Sequence, residues 1–308
     1  MRLKIINFLI IVSIMLFSMN IYGKKAVKPA GAEQSKTSIY NDGVIDYATS
    51  AASFAIASED VLSAVKSVMY KIDDGKYEEY KTPISIKDEG THIIYYYSID
   101  NVGNKSVESI YKVVIDNTAP EVSIVPNVKL YTADNKNYAP LSCEYILKAS
   151  DNLSGVKKIE YAIDKGQYQE YKTAIKLTAG EHTIKYRAVD NVGNASAEKS
   201  LTVVVDGKSP ELKIIPSGQF YKKGNKQYAP KSFQYQIEAT DTESKIAKIL
   251  VAIDNGNFVI YDTPISIDQE GEHTIKAKAI DNVGNESAVA SLSFIVDNTP
   301  PKLELNIK

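Results

Sequence analysis

The chain of 308 residues contains no tryptophan, one cysteine and three histidines. A single cysteine, Cys143, cannot close an internal disulfide, so stability must come from packed cores even in an oxidising compartment. The absence of tryptophan counts against a sugar-binding platform, which favours large flat rings. Charge is also scarce in the net, at −2, so the sequence has no basic footprint for nucleic acid. Helical periodicity is missing throughout the region after residue 23.

The only long apolar run lies at the start. Arg2 and Lys4 precede an apolar stretch from Ile5 to Met19, followed by Asn20 and the small residue Gly23. Basic, apolar and small residues in that order predict a secretory signal peptide over 1–23. The run is short for a membrane span, which needs about 20 residues. Cys143 lies far from the cleavage point, which argues against a lipid anchor. Cleavage removes Arg2 and Lys4 and no acid, taking the net charge from −2 to −4.

What is abundant is repetition. Asp-Asn-Val-Gly-Asn occurs at Asp100 to Asn104, Asp190 to Asn194 and Asp281 to Asn285. All three histidines keep the same period, at His92, His182 and His273. So do Gly75, Gly166 and Gly256, the aspartates Asp60, Asp151 and Asp241, and the trio Asp116, Asp206 and Asp297. These markers divide the chain into a linker at 24–38 and repeats at 39–119, 120–209 and 210–300, with a remainder at 301–308.

Within a repeat the hydrophobic period is two. Ile184, Tyr186 and Ala188 alternate with Thr183, Lys185 and Arg187, and Ile275, Ala277 and Ala279 alternate with Thr274, Lys276 and Lys278. That pattern belongs to half-buried strands. Turn signals such as Asp74-Gly75, Lys165-Gly166 and Asn255-Gly256 separate them. Short strands in a unit of about ninety residues predict an all-β antiparallel sandwich, repeated in tandem.

The segment Tyr161 to Glu211 resembles the immunoglobulin-like (Ig-like) repeat of bacterial surface proteins, in particular tandem-repeat surface-exposed outer-membrane proteins of spirochaetes. The shared pattern is Y-x-I-D-x-G-x-(FY)-x-x-Y, then G-x-H-T-I, then A-x-D-x-x-G-N-x-S, about half of each repeat. The Cys…Trp…Cys pin of antibody domains is absent. The resemblance implies display at the outer-membrane surface or outside the cell, and adhesin-like contact with host extracellular matrix or other macromolecules. The same module also serves as a spacer, so the function is an inference by analogy.

The ends do not match. Repeats 2 and 3 open with strands at Val122 to Val125 and Leu212 to Ile215, whereas repeat 1 has Ala32-Glu33-Gln34-Ser35 there. Conversely, Leu303 to Ile307 reads as an opening strand with no repeat behind it. It is either a frayed remnant or a strand that pairs with a sheet edge, of this molecule or of a second copy, giving self-association.

Three sets of candidate residues remain. The histidines recur once per module, which favours a structural role, and no catalytic triad, phosphate loop or Cys/His metal spacing accompanies them. The chain is therefore expected to be no enzyme. The aspartates Asp60, Asp100, Asp116, Asp151, Asp190, Asp206, Asp241, Asp281 and Asp297 offer the oxygen ligands that Ca²⁺ requires. Their alternative role is to cap turns by binding their own backbone; no other cofactor is expected. In repeat 1, Ile94, Tyr96 and Ser98 face inward by register, leaving Ile93, Tyr95 and Tyr97 outward where the other repeats carry Thr, Lys and Arg. Such a stripe suits a macromolecular ligand, or packing against a neighbouring segment.

The leading expectation is an exported, surface-associated binding protein. The alternatives are a structural spacer in the periplasm or envelope and a carbohydrate-binding accessory. A transmembrane barrel is excluded by outward-facing Thr, Lys and Arg where lipid would lie.

Overall fold

Period-two alternation produces strands and nothing else in the computed structural model, which describes residues 39–305. The expected signal peptide and linker lie outside the described residues. The chain divides into two compact units, Gly43–Ile115 and Asp116 onward.

After the two-residue β1 (Tyr40–Asn41), the first unit holds β2 (Asp46–Ala48), β3 (Val65–Ile72) and β4 (Glu78–Glu79). The long β5 (Gly90–Asp100) and β6 (Ser109–Ile115) complete it. Strands β2-β6-β5-β3-β4 are neighbours in one sheet, with β2 running parallel to β6. Ile94 and Val113 lie in its core with Ile84 and Ile86.

The second unit holds repeats 2 and 3, which share one plan. Repeat 2 contains β7 (Glu121–Pro126), β8 (Tyr131–Ala133), β9 (Lys136–Pro140), β10 (Glu144–Ser150) and β11 (Val156–Ile163). It continues through β12 (Gln169–Glu170), β13 (Ile175–Lys176), β14 (Gly180–Asp190) and β15 (Lys199–Asp206). A three-stranded sheet, β13-β10-β7, packs on a six-stranded one, β12-β11-β14-β15-β9-β8. The opening segment thus serves both sheets: β7 pairs antiparallel with β10, and β9 pairs parallel with β15. Tyr145 and Leu147 from the small sheet meet Ile184, Tyr186 and Val203 from the large one. Each such aliphatic side chain buried contributes about 1.5–3 kcal/mol of transfer free energy.

Repeat 3 comprises β16 (Glu211–Pro216), β17 (Tyr221–Lys223), β18 (Lys226–Ala229), β19 (Gln234–Thr240) and β20 (Ile246–Ile253). It ends with β21 (Val259–Ile260), β22 (Ile265–Ser266), β23 (Gly271–Asp281) and β24 (Ala290–Val296). Its sheets, β16-β19-β22 and β17-β18-β24-β23-β20-β21, repeat the arrangement. This is an all-β array of Ig-like sandwich repeats.

The two ends differ from the shared plan among the described residues. Repeat 1 departs from its sisters by more than one strand: among the described residues its small sheet shrinks to a single bridge, Phe54 to Ile84. That bridge corresponds to the Tyr145–Ile175 pair of repeat 2. The β7 counterpart, which would pair along this segment, has no place among the described residues, and these form no ladder here. At the other end, Pro301 to Leu305 form no strand, and Leu303 and Leu305 are almost fully exposed. Apolar residues in alternation are not a strand until an edge accepts them. Residues 306–308 lie outside the described residues.

Candidate functional site

Six of the nine candidate aspartates come together, as two triads in the second unit. Asp116, Asp151 and Asp190 place carboxylate oxygens within 4.8 Å of one another, and so do Asp206, Asp241 and Asp281. Asp190 ends β14, and its Oδ1 accepts the N–H groups of Val192, Gly193 and Asn194 at 3.0, 2.6 and 2.8 Å. Gly193 supplies the turn with φ of +103°, a conformation side chains resist. Asn194 Nδ2 donates to Asp190 Oδ2 at 2.7 Å and to the Asp116 carbonyl at 3.0 Å.

Asp151 opens the next turn, its Oδ1 accepting Leu153 and Gly155 N–H at 3.1 and 2.8 Å. Asp116 closes the cluster, its Oδ2 accepting Ser154 N–H at 3.0 Å and its Oδ1 Thr118 N–H at 3.1 Å. Asp116 and Asp190 are fully buried. Burial raises the pKa of Asp190 despite the opposing hydrogen bonds from Asn194 and Gly193, and the nearby Asp116 charge adds to the rise.

The second triad follows the same wiring. Ser244 N–H donates to Asp206 Oδ2 at 3.0 Å, and Asn285 Nδ2 reaches both Asp281 Oδ2 and the Asp206 carbonyl at 2.8 and 3.1 Å. One difference stands out. Lys208, whose N–H donates to Asp206 Oδ1, bonds Glu243 through Nζ at 2.7 Å beside this triad. Thr118 holds the matching position in the first.

Among the described residues Asp60, Asp100 and Asp297 join no triad. Asp60 Oδ1 accepts Leu62 and Ser63 N–H, Asp100 Oδ1 accepts Val102 and Asn104 N–H, and Asp297 Oδ1 accepts Thr299 N–H. Each caps its own turn. A triad takes one Asp from the end of one repeat and two from turns within the next. Repeat 1 has no aspartate in 24–38 to supply the first.

The histidines share one geometry. His92 Nδ1 lies 2.8 Å from Asp73 Oδ2, and its Nε2 lies 2.9 Å from the Asp88 carbonyl. Asp73 Oδ1 also accepts Ile93 N–H, at 2.8 Å. His182 does the same with Asp164 and the Thr178 carbonyl, and His273 with Asp254 and the Gln269 carbonyl. Burial pushes the His92 imidazole down, but the Asp73 and Asp88 hydrogen bonds and nearby negative charges outweigh it, and its pKa is raised. The ring fastens the start of β5 to the preceding Ile-Asp-Asp-Gly turn.

Ile93, Tyr95 and Tyr97 lie on the outer face of β5 and are half-buried. What covers them is polar and aromatic. Lys71 Nζ sits 4.5 Å from the Tyr95 ring centre, and Lys105 Nζ sits 3.5 Å from that of Tyr97. Tyr77 packs edge-on against Tyr97 at 5.0 Å and donates its hydroxyl to Glu108. Ile110, two-thirds exposed, is paired with Tyr95 across the sheet. In repeats 2 and 3 a cation replaces Tyr97: Arg187 lies over Tyr168 at 4.5 Å and Lys278 over Phe258 at 5.5 Å.

Sequence reading missed Tyr77, Lys71 and Lys105 on this face, and Ser154, Ser244 and Lys208 at the triads. The serines carried a signal, since Ser63, Ser154 and Ser244 each follow a repeat aspartate by three positions.

No protein-family model matches the chain, and no curated protein matches it. Solved structures do. The fibronectin(III)-like modules of Clostridium thermocellum CbhA match with a TM-score of 0.34 and 15% identity, over 59% of this chain and 100% of theirs. Drosophila N-cadherin EC1-3 matches with a TM-score of 0.21 and 14% identity, over 79% of this chain and 92% of its own. SGBP-B from the Bacteroides ovatus mixed-linkage glucan utilization locus, solved with a mixed-linkage heptasaccharide, matches with a TM-score of 0.20 and 14% identity. That alignment covers 86% of this chain and 71% of SGBP-B. The chain's own strand order and registers are those of tandem Ig-like β-sandwiches.

Proposed function

We propose that this chain is an exported, non-enzymatic, adhesin-like binding protein. In this reading it stands at the outer-membrane surface or outside the cell and contacts host matrix or another macromolecule through repeat 1. One observation carries the proposal: the outer face of repeat 1 gathers Tyr77, Tyr95, Tyr97 and Ile110 with Lys71 and Lys105. Aromatic residues framed by cations are the composition of protein-contact hot spots. The corresponding rows of repeats 2 and 3 carry Lys185 and Arg187, and Lys276 and Lys278. The resemblance to spirochaetal surface repeats agrees with this reading.

The test is binding of the mature chain to immobilised laminin, fibronectin and collagen. The double variant Tyr95→Thr/Tyr97→Thr keeps charge and strand propensity. It is expected to bind at least about tenfold more weakly, since each anchor lost costs on the order of 1–2 kcal/mol, with an unchanged melting temperature. Equal binding by both proteins, or none by either, would defeat the proposal. Absence of binding together with protection from protease on intact cells would favour the envelope-spacer reading.

A further inference from the structure

The two aspartate triads present oxygen ligands in an arrangement that turn-capping does not explain. We propose that each triad binds one hard divalent cation of the calcium class, the Asp116/Asp151/Asp190 site more tightly than the Asp206/Asp241/Asp281 site. The proposal is independent of the binding reading of repeat 1.

Three carboxylates crowd together in each cluster, and two of the three are buried. Among the described residues no lysine or arginine forms an ion pair with Asp116, Asp151 or Asp190. Backbone and asparagine amides supply partial charge only, and buried anions without a counter-charge are costly. A divalent ion would supply it.

A second, separate observation concerns a neutral oxygen. Ser154 Oγ and Ser244 Oγ are buried and have no hydrogen-bond partner. Both residues touch their triads already, since their N–H groups donate to Asp116 and Asp206. The same position in repeat 1, where the third carboxylate is missing, behaves differently: Ser63 Oγ bonds Asp60 Oδ1 at 3.2 Å. The serine hydroxyl is thus satisfied where the triad is incomplete and left unsatisfied where it is complete. A buried hydroxyl that forgoes a neighbouring carboxylate needs another partner. A cation held by the triad would accept that oxygen as a ligand.

Spare valences point the same way. Asp151 and Asp241 each engage two amides through Oδ1, and among the described residues no hydrogen bond reaches the Oδ2 of either. The donor set is all oxygen, with no nitrogen or sulfur, which suits Ca²⁺ and disfavours zinc or copper. The ranking of the two sites follows from Lys208, an ammonium in the field of Asp206 and Asp241 that the first triad lacks.

The experiment is calorimetric titration of CaCl₂ into the mature, chelator-stripped chain. Two equivalents are expected, one tighter than the other. Asp116→Asn should remove the tighter and Asp206→Asn the weaker, whereas Asp60→Asn and Asp297→Asn should leave both. Lys208→Thr, which installs the residue of the first triad, should tighten the weaker site several-fold. Should Asp116→Asn misfold, Ser154→Ala serves instead, and the tighter site alone should weaken. No uptake at millimolar calcium, uptake that survives Asp116→Asn/Asp206→Asn, or a Ser154→Ala chain that binds as wild type would each overturn the proposal.

Discussion

Repeats 1 and 2 descend from one pattern and differ in what surrounds it. Repeat 2 has both sheets, a buried acid triad and a lysine- and arginine-bearing outer face. Among the described residues repeat 1 has its large sheet, one bridge in place of the small sheet, two turn-capping aspartates and an aromatic outer face. The strand that opens a repeat pairs along β10 in one and has no described counterpart in the other, and the triad is missing where that entry is missing. Among the described residues the full small sheet and the candidate cation site therefore go together, while the aromatic face belongs to the repeat that shows neither.

The largest break in this comparison should come from the core. Ile94 and Ile184 occupy the same register and are both buried. Truncating either to alanine should cost about 2–5 kcal/mol, with Ile184→Ala at the upper end because two full sheets enclose it and cannot collapse into the void. Denaturant unfolding followed by hydrogen exchange, which separates the repeats, checks the order; equal costs would mean that the single described bridge encloses Ile94 as well as the small sheet encloses Ile184.

A smaller effect tests the small sheet directly. Tyr235 is buried with its hydroxyl unpartnered, and burial pushes its pKa up to about 12. Its counterpart in repeat 1 is Phe54, with no hydroxyl to bury. Tyr235→Phe should therefore stabilise repeat 3 by about 1 kcal/mol, since an unmet buried donor costs on the order of 1–3 kcal/mol. A lowered melting temperature would show that the hydroxyl has a partner.

The smallest effect is a pH dependence of repeat 1. His92 has a raised pKa, so its contribution is fully present below the unfolded value of about 6.5 and is lost as pH rises through the folded value. Burial works against ionisation of Asp73, but the Ile93 and His92 hydrogen bonds prevail and its pKa is lowered. Its contribution is present above about pH 3.9 and lost as pH falls through the folded value. The turn that follows β3, fastened to the start of β5 by His92, should thus exchange its amides most slowly between about pH 4 and 6.5, after correction for intrinsic rates. His92→Gln should abolish the loss on the alkaline side, and a profile identical to wild type would rule the linkage out.

Much of this was legible from spacing. The Asp-Asn-Val-Gly-Asn turns, the histidine period and the alternation through His182 to Val189 located β14 and its copies, because a strand's two faces are written at period two. The outward placement of Tyr95 and Tyr97 followed from the same rule. Leu303 to Leu305 form no strand among the described residues, because a strand needs a partner edge, which alternation does not specify. The nine aspartates looked equivalent in sequence, yet only six converge. Convergence depends on which chain segment enters the next turn, as Asp116 does beside Ser154.

The sequence by itself determined the module, its three copies and the side of β5 on which each residue lies, since local periodicity and turn chemistry are short-range properties. Only the tertiary structure decided that Asp116, Asp151 and Asp190 meet while Asp60, Asp100 and Asp297 cap turns. It also decided that Lys71, Lys105 and Tyr77 frame the aromatic face. Those groupings join residues tens of positions apart, and their distances are set by sheet pairing and packing instead of by sequence separation.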